Sequence, residues 1–516
     1  MKRENLKQLP IGISTFKQII DDNYLYIDKT KEAYKLITNN KYSFLSRPRR
    51  FGKSLFLDTI KEIFEGNQKL FEGLYIYDKW DWTTTYPVIK ISFSGNLRSP
   101  EKLQEVMLSI LKDNQENLEI ECKNIESYDN YFRELLKLTY QKYQKKVVIL
   151  IDEYDKPILD NFDQMEIAKE NREVLKSFYG VMKDSDKYIK FVFLTGVSKF
   201  SKASIFSGLN NLRDISLLPK YGMICGYTQN DIETSFLPYL EGVDLKKLKK
   251  WYNGYNFLSD KVYNPFDILL FIDSDCKFSN YWFNTGTPGF LVKLFEKGSY
   301  NLASFENLQV QESMLDAFNI ENINLQTVMF QSGYLTIKEE LERRNRIEYI
   351  LTYPNFETKM SFNDYLMDYF VKNPVEKGHV QNGLIDMLEV ADLEGLEQVF
   401  KSLFASLAYN NFVNNNIEDY EGFYASIIYA YFAGAGFDEI RAEDATNHGR
   451  IDLSVFIDDK VYIFEFKVNQ SGALEQIKAK NYHEKYRADF NEIYIVGVEF
   501  NSNKRNLVEY VWEKIK

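Results

Sequence analysis

The chain has 516 residues, of which 45% are hydrophobic and 16% aromatic, which is enough to bury about two to four domain cores and excludes wholesale disorder. Its three cysteines are far apart, no long apolar run occurs, and the N-terminal segment lacks a signal sequence, so we expect a soluble cytoplasmic protein without membrane contact. The net charge of -11 argues against broad electrostatic coating of nucleic acid, while local basic surfaces stay compatible with it.

A phosphate-binding loop is predicted in SRPRRFGKSLFLD (46–58). The pattern G-x-x-x-x-G-K-[ST] is matched by Gly52, Lys53 and Ser54, but Arg47 stands where the first glycine normally allows a tight turn. Backbone N–H groups and the lysine of such a loop bind phosphate oxygens, and the hydroxyl ligates magnesium.

The surroundings of this loop favour a working site. KYSFLS (41–46) has the pattern of a buried strand and SLFLDTIKEIFEG (54–66) that of an amphipathic helix, which gives the strand–loop–helix setting that phosphate binding needs. Arg49 and Arg50, in the same loop, either neutralise phosphate oxygens or form structural ion pairs.

An acidic pair follows an apolar strand further along the chain. VIKISFS (88–94) is a predicted strand, and KKVVILIDEYDKPI (145–158) contains a second one that ends in Asp152 and Glu153. Asp152 would hold magnesium through water, and Glu153 would orient or deprotonate the attacking water. A strand between the two motifs is a feature of catalytic-glutamate P-loop ATPases, whereas a solvated strand end is the alternative interpretation of the acidic pair.

KFVFLTGVSKFS (190–201) predicts another buried strand, whose polar tip, Thr195, is placed to sense the γ-phosphate.

Four segments together resemble a known family. SRPRRFGKS, LIDEYDKPI, LTGVSKFSKASIFSGLNNLRDIS, and WYNGYNF followed by VYNPFDIL closely resemble the AAA-ATPase-like family of bacterial proteins, which pairs a P-loop module with a C-terminal nuclease-like domain. The resemblance covers most of residues 8–295, and arginine is usual in that family at the position of Arg47. It implies that Lys53 and Ser54 bind ATP and that Asp152 and Glu153 take the acidic roles.

Residues 296–395 indicate a helical or winged connector. SMLDAFNIENINLQTVMFQSGYLTIKEE (313–340) mixes helix and strand patterns, and FNDYLMDYFV (362–371) places aromatic residues at helical spacing, which is typical of a core.

A second chemical motif lies near the C-terminus. YEGFYASIIYAYFAGAG (420–436) is a predicted apolar helix with Glu421 in its first turn, and HGRIDLSVFIDDKVYIFEFKVN (448–469) is a predicted hairpin. Glu465 and Lys467 share one face of the second predicted strand, and Asp452 lies on the first, so we expect two carboxylates and an ammonium group to meet. Such a set suits a magnesium-dependent phosphodiesterase.

The D…E-x-K spacing resembles the PD-(D/E)xK nuclease superfamily. The resemblance implies that Asp452 and Glu465 ligate Mg²⁺ or Mn²⁺, that Lys467 serves the nucleophilic water and that Glu421 completes the site. Gln476 matches a further position of this branch, and Tyr482 accompanies it. Exposed strand alternation explains most E-x-K patterns, but here the motif lies inside the apolar run VYIF.

The substrate is harder to read from the sequence. Acidic residues outnumber basic ones between 401 and 516, and the predicted phosphate-contacting surface is a basic helix with Lys478, Lys480, Lys485 and Arg487, with solvated charges as the alternative. DNA is favoured over RNA, and neither base-reading motif nor zinc module is found. His379, His448 and His483 are scattered and lie beside no nucleophile motif, which argues against triad chemistry.

We therefore expect an α/β protein with an AAA-like P-loop ATPase of parallel-sheet type (1–235), a helical or winged connector (236–395) and a restriction-endonuclease-like α/β domain (396–516). ATP binding or hydrolysis would gate or power metal-dependent cleavage of nucleic acid, and an arginine finger supplied by a second copy would imply a homo-oligomer. The alternative is a nucleotide-switched binding or signalling protein whose nuclease fold does not cleave.

Overall fold

The computed structural model describes residues 6–199, 205, 206, 209, 211–283, 291, 301–316, 324–371, 374–407, 421–437 and 439–516. The predicted motif 194–216 and the predicted connector 296–395 therefore lie partly outside the described residues, as does the side chain of His379. The chain divides into two compact units, one formed by 1–286 with 310–349 and the other by 287–309 with 350–516. Within the described ranges, no helix is both long and apolar enough to span a membrane.

The first unit contains twelve described helices and nine strands that lie wholly within it. The helices are α1 (Phe16–Asp21), α2 (Thr30–Asn39), α3 (Lys53–Glu65), α4 (Pro100–Asn117), α5 (Tyr128–Tyr143), α6 (Lys156–Leu159), α7 (Met165–Asp184), α8 (Gln229–Asp231), α9 (Leu245–Tyr252), α10 (Pro265–Asp273), α11 (Glu312–Asp316) and α12 (Leu325–Ser332). The strands are β1 (Tyr42–Ser46), β2 (Val88–Ser92), β3 (Val147–Asp152), β4 (Ile189–Gly196), β5 (Arg213–Asp214), β6 (Tyr227–Thr228), β7 (Asn253–Tyr255), β8 (Val262–Tyr263) and, after β9, β10 (Thr336–Arg343). The strands β9 (Leu308–Gln311) and β11 (Arg346–Thr352) contain points where the chain passes from one unit to the other.

A parallel sheet with the order β2-β3-β4-β1-β5 forms the centre of the first unit. Every residue of β1 and of β3 is buried, as is typical of the central strands of a parallel sheet that helices cover on both faces. The expected α/β fold with an N-terminal parallel sheet is confirmed.

Strand β4 separates β1 from β3 in the sheet. In the sequence, β2 is the strand between the two motifs, and chain order therefore predicted β2 as the strand inserted between them. In the sheet, β2 lies at the edge, so that prediction was wrong. Because all five strands of this sheet are parallel, the loops that follow β1, β3 and β4 leave the sheet at the same edge. This edge brings the phosphate loop, the acidic pair and Thr195 together.

A small antiparallel sheet with the order β6-β8-β7 lies beside the phosphate loop. The motifs WYNGYNF and VYNPF form the end of α9, strands β7 and β8, and the start of α10. Asn264 caps α10, since its Oδ1 accepts a hydrogen bond from the N–H of Phe266, and Pro265 occupies the first helical position.

The second unit contains the helices α13 (Phe356–Phe370), α14 (Pro374–Glu389), α15 (Leu393–Ser406), α16 (Glu421–Gly434) and α17 (Ala473–Ala479). Its five-stranded sheet has the order β12 (Glu439–Thr446), β13 (Gly449–Ile457), β14 (Lys460–Val468), β15 (Glu492–Asn501) and β16 (Asn506–Lys514). Neighbouring strands are antiparallel except for β14 and β15, which are parallel and joined through α17.

The helix predicted to carry the basic residues ends earlier than its sequence pattern suggests. Asn481 has a left-handed φ of 49°, which interrupts the helical direction after α17, and a 3-10 turn, Tyr482–Tyr486, follows. Both Tyr482 and Tyr486 are buried in the core against β13, β14 and β15, and this packing outweighs the local helix propensity.

Candidate nucleotide site and candidate metal centre

The loop after β1 has the backbone that phosphate binding needs. Gly52 precedes α3 with a φ of 84°, a conformation that side-chain-bearing residues rarely adopt, and Lys53 and Ser54 begin the helix. The Lys53 Nζ donates to the carbonyl oxygens of Arg47 (3.0 Å) and Pro48 (2.8 Å). Burial lowers the pKa of Lys53, and the nearby Asp152 and Asp155 oppose that shift.

Arg47 has a structural part in this loop. Its side chain is 1% exposed, and its guanidinium donates to the carbonyl oxygens of Ser216 (2.8 Å) and Tyr221 (3.1 Å). The guanidinium carbon lies 3.8 Å from the ring centre of Phe257, a cation–π contact. Burial lowers the pKa of Arg47 to about 10. A buried cation bonded to carbonyl groups therefore anchors the start of the loop at the position where most phosphate loops have glycine.

The acidic pair lies at the end of β3. Oδ1 of Asp152 accepts hydrogen bonds from the Thr195 hydroxyl (2.6 Å) and from the N–H of Glu153 (3.0 Å). Glu153 has a φ of 53°, which turns its side chain away from the strand direction and toward the cavity that it lines. Reduced hydration and the adjacent Asp152 raise the pKa of Glu153.

Thr195 itself is fully buried and lies behind Asp152. Its hydroxyl contacts the carboxylate that is expected to direct magnesium, and it does not line the cavity at this edge of the sheet. The Thr195 hydroxyl therefore holds the Asp152 carboxylate, and its role beside a γ-phosphate stays a prediction.

Asp155 is a site residue that the sequence reasoning missed. Its carboxylate is 1% exposed, lines the cavity, and accepts hydrogen bonds from the N–H groups of Val197 (3.0 Å) and Ser198 (2.5 Å). Burial raises the pKa of Asp155 to about 6. A Cβ atom on Gly196 would lie 2.6 Å from Asp155 Oδ1, so only glycine fits there. The second aspartate of DEYD is the sequence signal that would have pointed to this residue.

These groups surround a cavity of about 560 Å³. Its lining includes all of the predicted nucleotide-site residues except Thr195, namely Arg49, Arg50, Gly52, Lys53, Ser54, Asp152 and Glu153. It also includes Asp155, Lys156 and Asp160 from the segment that follows the acidic pair, and several apolar residues. The volume falls within the range of small-molecule sites.

The second site is built on the hairpin of β13 and β14. The regular pairing of these strands ends at Leu453 and Phe464, and beyond that point Oδ2 of Asp452 accepts the N–H of Phe466 at 2.8 Å. The strands thus separate next to Asp452 and Glu465. Glu465 is 1% exposed, and its Oε1 accepts a hydrogen bond from the side-chain amide of Gln476, on α17.

The charged groups of this site act on one another. Burial, and then the negative charges around them, raise the pKa values of both Asp452 and Glu465, while Lys467 opposes the increase. Burial also raises the pKa of Glu421, which the charge of Lys467 counteracts. Glu421, Asp452, Glu465, Lys467 and Gln476, all predicted from the sequence, are therefore near enough to act on one another.

Glu443 is a further acidic group at this site that was not predicted. It lies on β12 between the pairs Ala442–Leu453 and Asp444–Ile451, which places it across from Asp452. Its charge contributes to the raised pKa values of Asp452 and Glu465. No sequence motif marks it, because its proximity follows from strand pairing alone.

The residues present fit a divalent cation. Oε2 of the buried Glu465 has no hydrogen-bond partner, and a buried carboxylate oxygen in that state is stabilised by a cation. Asp452 and Glu465 would hold such an ion. Across the described ranges, no three His, Cys, Asp or Glu side chains are grouped closely enough to hold a metal on their own, so water or substrate oxygens would have to complete the coordination.

The predicted basic surface is largely neutralised. Lys478 is paired with Glu513, Lys485 with Asp444 and Arg487 with Glu484, whereas Lys480 is exposed at the end of α17. His448 is exposed at the tip of the β12–β13 hairpin, where its backbone N–H donates to the Thr446 hydroxyl at 3.2 Å.

Two family models match separate parts of the chain, and one relative matches almost all of it. Residues 10–206 match the family model described as predicted AAA-ATPase, and residues 419–510 match the model of the PD-(D/E)XK nuclease superfamily. An "Uncharacterized protein in vnfD 5'region" of Azotobacter chroococcum mcd 1 is 45% identical over 515 residues, which cover 99% of this chain and 99% of that protein. The matched ranges contain the phosphate loop and acidic pair in the first case, and the hairpin with Asp452 and Glu465 in the second.

Proposed function

Because the chain belongs to the predicted AAA-ATPase family and carries a C-terminal domain of the PD-(D/E)XK nuclease superfamily, we propose that ATP binding or hydrolysis in the first unit gates or powers metal-dependent cleavage of nucleic acid by the second. DNA is the proposed substrate in preference to RNA. Since ATPases of this class often receive an arginine finger from a neighbouring copy, the proposal includes a homo-oligomer.

The cavity at the end of the parallel sheet supports the ATPase part. The N–H groups around Gly52 and the ammonium group of Lys53 would bind the phosphates. Ser54 and Asp152 would hold the magnesium ion that accompanies ATP, and Thr195 fixes the Asp152 carboxylate. Glu153, with its raised pKa and its position on the cavity wall, is the group that would accept a proton from the attacking water.

The hairpin site supports the nuclease part. A divalent ion held by Asp452 and Glu465 would supply Lewis-acid activation of a phosphodiester oxygen. Gln476 holds one oxygen of Glu465 through its amide, which leaves the other oxygen for the ion. The Lys467 ammonium group would orient the nucleophilic water and balance the charge that develops on the phosphate, and Glu421 lies close enough to influence Lys467.

One observation carries the choice of cleavage over mere binding. Glu465 is buried, has an oxygen without a partner, and sits beside Asp452, which is an unfavourable arrangement for a structural scaffold. A domain that only bound a partner would gain nothing from keeping two carboxylates in mutual repulsion. A metal-dependent catalyst requires both of them.

A nucleotide-switched binding protein is the second candidate. It is favoured by the small number of preassembled ligands, since within the part of the chain that the structure describes no three metal-ligating side chains are grouped together. In that case ATP would change the affinity for nucleic acid or a partner, and no phosphodiester bond would be cut.

The test uses purified full-length protein with circular DNA, linear DNA and RNA, in Mg²⁺ or Mn²⁺, with and without ATP. The variants are Lys53→Ala for the phosphate loop and Lys467→Ala for the hairpin site. The matched controls, Lys35→Ala and Lys504→Ala, remove exposed lysines of the same two units.

Cleavage that Lys467→Ala abolishes and that ATP or Lys53→Ala alters would establish a coupled nuclease, provided that both control variants cleave like the wild type. Cleavage that is indifferent to ATP and to Lys53→Ala would mean an independent nuclease. If no substrate is cut while Lys53-dependent ATP turnover or ATP-dependent association persists, the switch becomes the better account.

A further inference from the structure

The arginine hairpin is an exposed element of the first unit. It is formed by β10, the two-residue loop of Arg344 and Asn345, and β11 up to Tyr349. After Ile337, β10 contains no buried residue, and β11 contains none before Tyr349. At about 3.3 Å per residue, the exposed part of β10 is about 20 Å long. The function proposed above gives this element no role.

Positive charge is concentrated at the tip of the hairpin. Arg343, Arg344 and Arg346 lie in or beside the loop, and all three are exposed. Across the described ranges, none of their guanidinium groups has a hydrogen bond or an ion pair. The acidic residues lie on the strands behind the loop, at Glu339, Glu340, Glu342 and Glu348. Glu342 is next to Arg343 in the chain but lies on the opposite face of the strand, because successive side chains of a strand alternate between faces.

The residues of the tip work against the stability of the hairpin. Arg344 and Asn345 have φ values of 48° and 63°, a left-handed loop whose first position favours Asn, Asp or Gly over arginine. A two-residue loop also places the residues that flank it directly opposite each other, so Arg343 faces Arg346, and like charges in that position are destabilising. Charged side chains on an exposed strand prevent aggregation, but that task does not require two arginines in one pair. Local rules are broken in this way where a function requires it, and here an external anion would neutralise both arginines.

The base of the hairpin is fixed to the phosphate loop. A Cβ atom on Gly333, which precedes β10, would lie 2.7 Å from the side chain of Pro48, so this segment packs directly on the loop. At the start of β10, the Thr336 hydroxyl accepts a hydrogen bond from the backbone N–H of Asn256 at 2.7 Å. Asn256 follows β7, in the small sheet beside the phosphate loop. The exposed tip is therefore attached to the proposed nucleotide site through its base.

We propose that the tip of the arginine hairpin binds the backbone phosphates of double-stranded DNA, with the two strands lying in the major groove. The hairpin would then hold the substrate of the function proposed above, on which this inference rests. Guanidinium groups form paired hydrogen bonds with phosphate oxygens. The major groove of B-DNA is about 12 Å wide and admits a two-stranded ribbon, whereas the major groove of duplex RNA is too narrow.

The charges of the second unit favour the same conclusion. The basic side chains around α17 are largely paired with acidic ones, as in Lys478 with Glu513 and Lys485 with Asp444. Cationic contacts supply most of the affinity of a protein for a nucleic-acid backbone. DNA would therefore need contacts elsewhere in the chain, and the hairpin tip offers three guanidinium groups that no acidic residue of the described ranges neutralises.

The test measures how tightly the full-length protein binds a short fluorescent DNA duplex at several NaCl concentrations. One series is run in EDTA, and a second in Mg²⁺ with the non-hydrolysable β,γ-imido analogue of ATP on the Lys467→Ala background, so that no cleavage intervenes. Duplex RNA of the same sequence and poly-L-glutamate are the other probes. The variant combines Arg343→Gln, Arg344→Gln and Arg346→Gln. The control combines Lys69→Gln, Lys79→Gln and Lys137→Gln, which removes the same charge from exposed positions of the same unit.

The wild type should bind duplex DNA more tightly than duplex RNA or poly-L-glutamate. The arginine variant should bind DNA at least about tenfold more weakly, and its plot of log Kd against log[NaCl] should be shallower by about 2.7, since each lost phosphate contact removes about 0.9 from the slope. The control should stay within about twofold of the wild type. Basal ATP hydrolysis should be unchanged in the arginine variant, and its Tm should equal or exceed that of the wild type because a like-charge pair is removed.

Unchanged DNA affinity and salt dependence in the arginine variant would overturn the inference and leave the nuclease proposal intact. Equal weakening in the control would reduce the effect to net charge. Binding of RNA or poly-L-glutamate that is as tight as that of DNA, and is equally lost in the arginine variant, would make the tip a general anion site. Both of these outcomes also overturn the inference. If the wild type binds no nucleic acid in either series, the proposed function itself fails, and the role of the hairpin fails with it.

Discussion

The hydroxyl of Thr195 donates a 2.6 Å hydrogen bond to Oδ1 of Asp152. The two residues lie on neighbouring strands, β4 and β3, and both are buried at the carboxyl edge of the sheet. The bond fixes one oxygen of a carboxylate whose expected task is to hold magnesium through water. If Asp152 holds magnesium as proposed, Thr195 would act on the nucleotide site through this hydrogen bond.

Thr195→Val should lower the kcat of ATP hydrolysis about tenfold with little change in ATP affinity. The substitution keeps the branched shape of the side chain but removes the hydrogen-bond donor. The Asp152 carboxylate then loses roughly the stabilisation that one hydrogen bond gives to a charged group. Steady-state ATPase rates and calorimetric ATP binding measure the two effects. Thr195→Ser, which retains a hydroxyl, should recover most of the rate, and an equal loss in both variants would contradict the role of the hydrogen bond.

Arg47→Gly should destabilise the protein, even though it restores the general phosphate-loop pattern. The glycine would leave the carbonyl oxygens of Ser216 and Tyr221 without their donor and would empty the space against Phe257. We expect a loss of about 2–4 kcal/mol in the free energy of unfolding, because buried carbonyl oxygens lose their donor and the removed side chain leaves a cavity. Urea unfolding followed by circular dichroism checks this value.

Arg50→Gly is a suitable control for that experiment, because it also introduces glycine into the loop at an exposed position with a φ of 65°. It should be close to neutral in stability or slightly stabilising, since glycine adopts this conformation without strain. If Arg47→Gly and Arg50→Gly have the same free energy of unfolding, Arg47 does not anchor the loop.

The local elements were predictable because their patterns are short-range. The buried strand before Gly52, the apolar strand ending at Asp152 and the hairpin carrying Asp452 and Glu465 follow from runs of apolar residues and from turn signals. The loop motif likewise fixed the positions of Lys53 and Ser54 from sequence alone.

The remaining features depend on contacts between distant parts of the chain. The guanidinium of Arg47 bonds to carbonyl groups about 170 residues away, and nothing near Arg47 in the sequence indicates them. Glu443 reaches Asp452 only because β12 pairs with β13. The early end of α17 reflects the burial of Tyr482 and Tyr486 in the sheet core. Local helix propensity does not predict this burial, because it depends on packing against distant strands.

Gln476→Ala should reduce nuclease activity by about 10- to 100-fold, as is typical when a residue that orients a metal ligand is removed. The amide of Gln476 is the donor to Oε1 of Glu465, so its loss leaves the carboxylate free to turn. Cleavage rates across a Mn²⁺ titration measure the effect. The neighbouring exposed residue provides the control, since Glu475→Ala should cleave like the wild type; unchanged cleavage in Gln476→Ala would remove this residue from the site.

Binding of Mn²⁺ should become stronger as the pH rises. Burial and mutual repulsion raise the pKa values of Asp452 and Glu465, so protons compete with the metal for these carboxylates at low pH. We expect the Kd for Mn²⁺, measured in the absence of nucleotide, to be about tenfold higher at pH 6 than at pH 8.5. Calorimetry in buffers of different ionisation enthalpy detects the protons that are released on binding. Binding that releases no protons at pH 6 would contradict the raised pKa values.

The stability of the metal-free protein should show the opposite dependence on pH. A carboxyl group whose pKa is higher in the folded than in the unfolded state contributes stability that is fully present below the unfolded pKa, and this contribution is lost as the pH rises through the folded pKa. Glu465→Gln removes a charge that is costly only when ionised, so it should raise the Tm by a few degrees at pH 8.5 and have almost no effect near pH 4.5. Thermal unfolding in EDTA at both pH values measures the difference, and saturating Mn²⁺ should reverse the order at pH 8.5, because only the wild type keeps both carboxylates for the ion. If Glu465→Gln lowers the Tm equally at both pH values, Glu465 is held by ordinary structural contacts. In that case its oxygen without a hydrogen-bond partner is not part of a cation site.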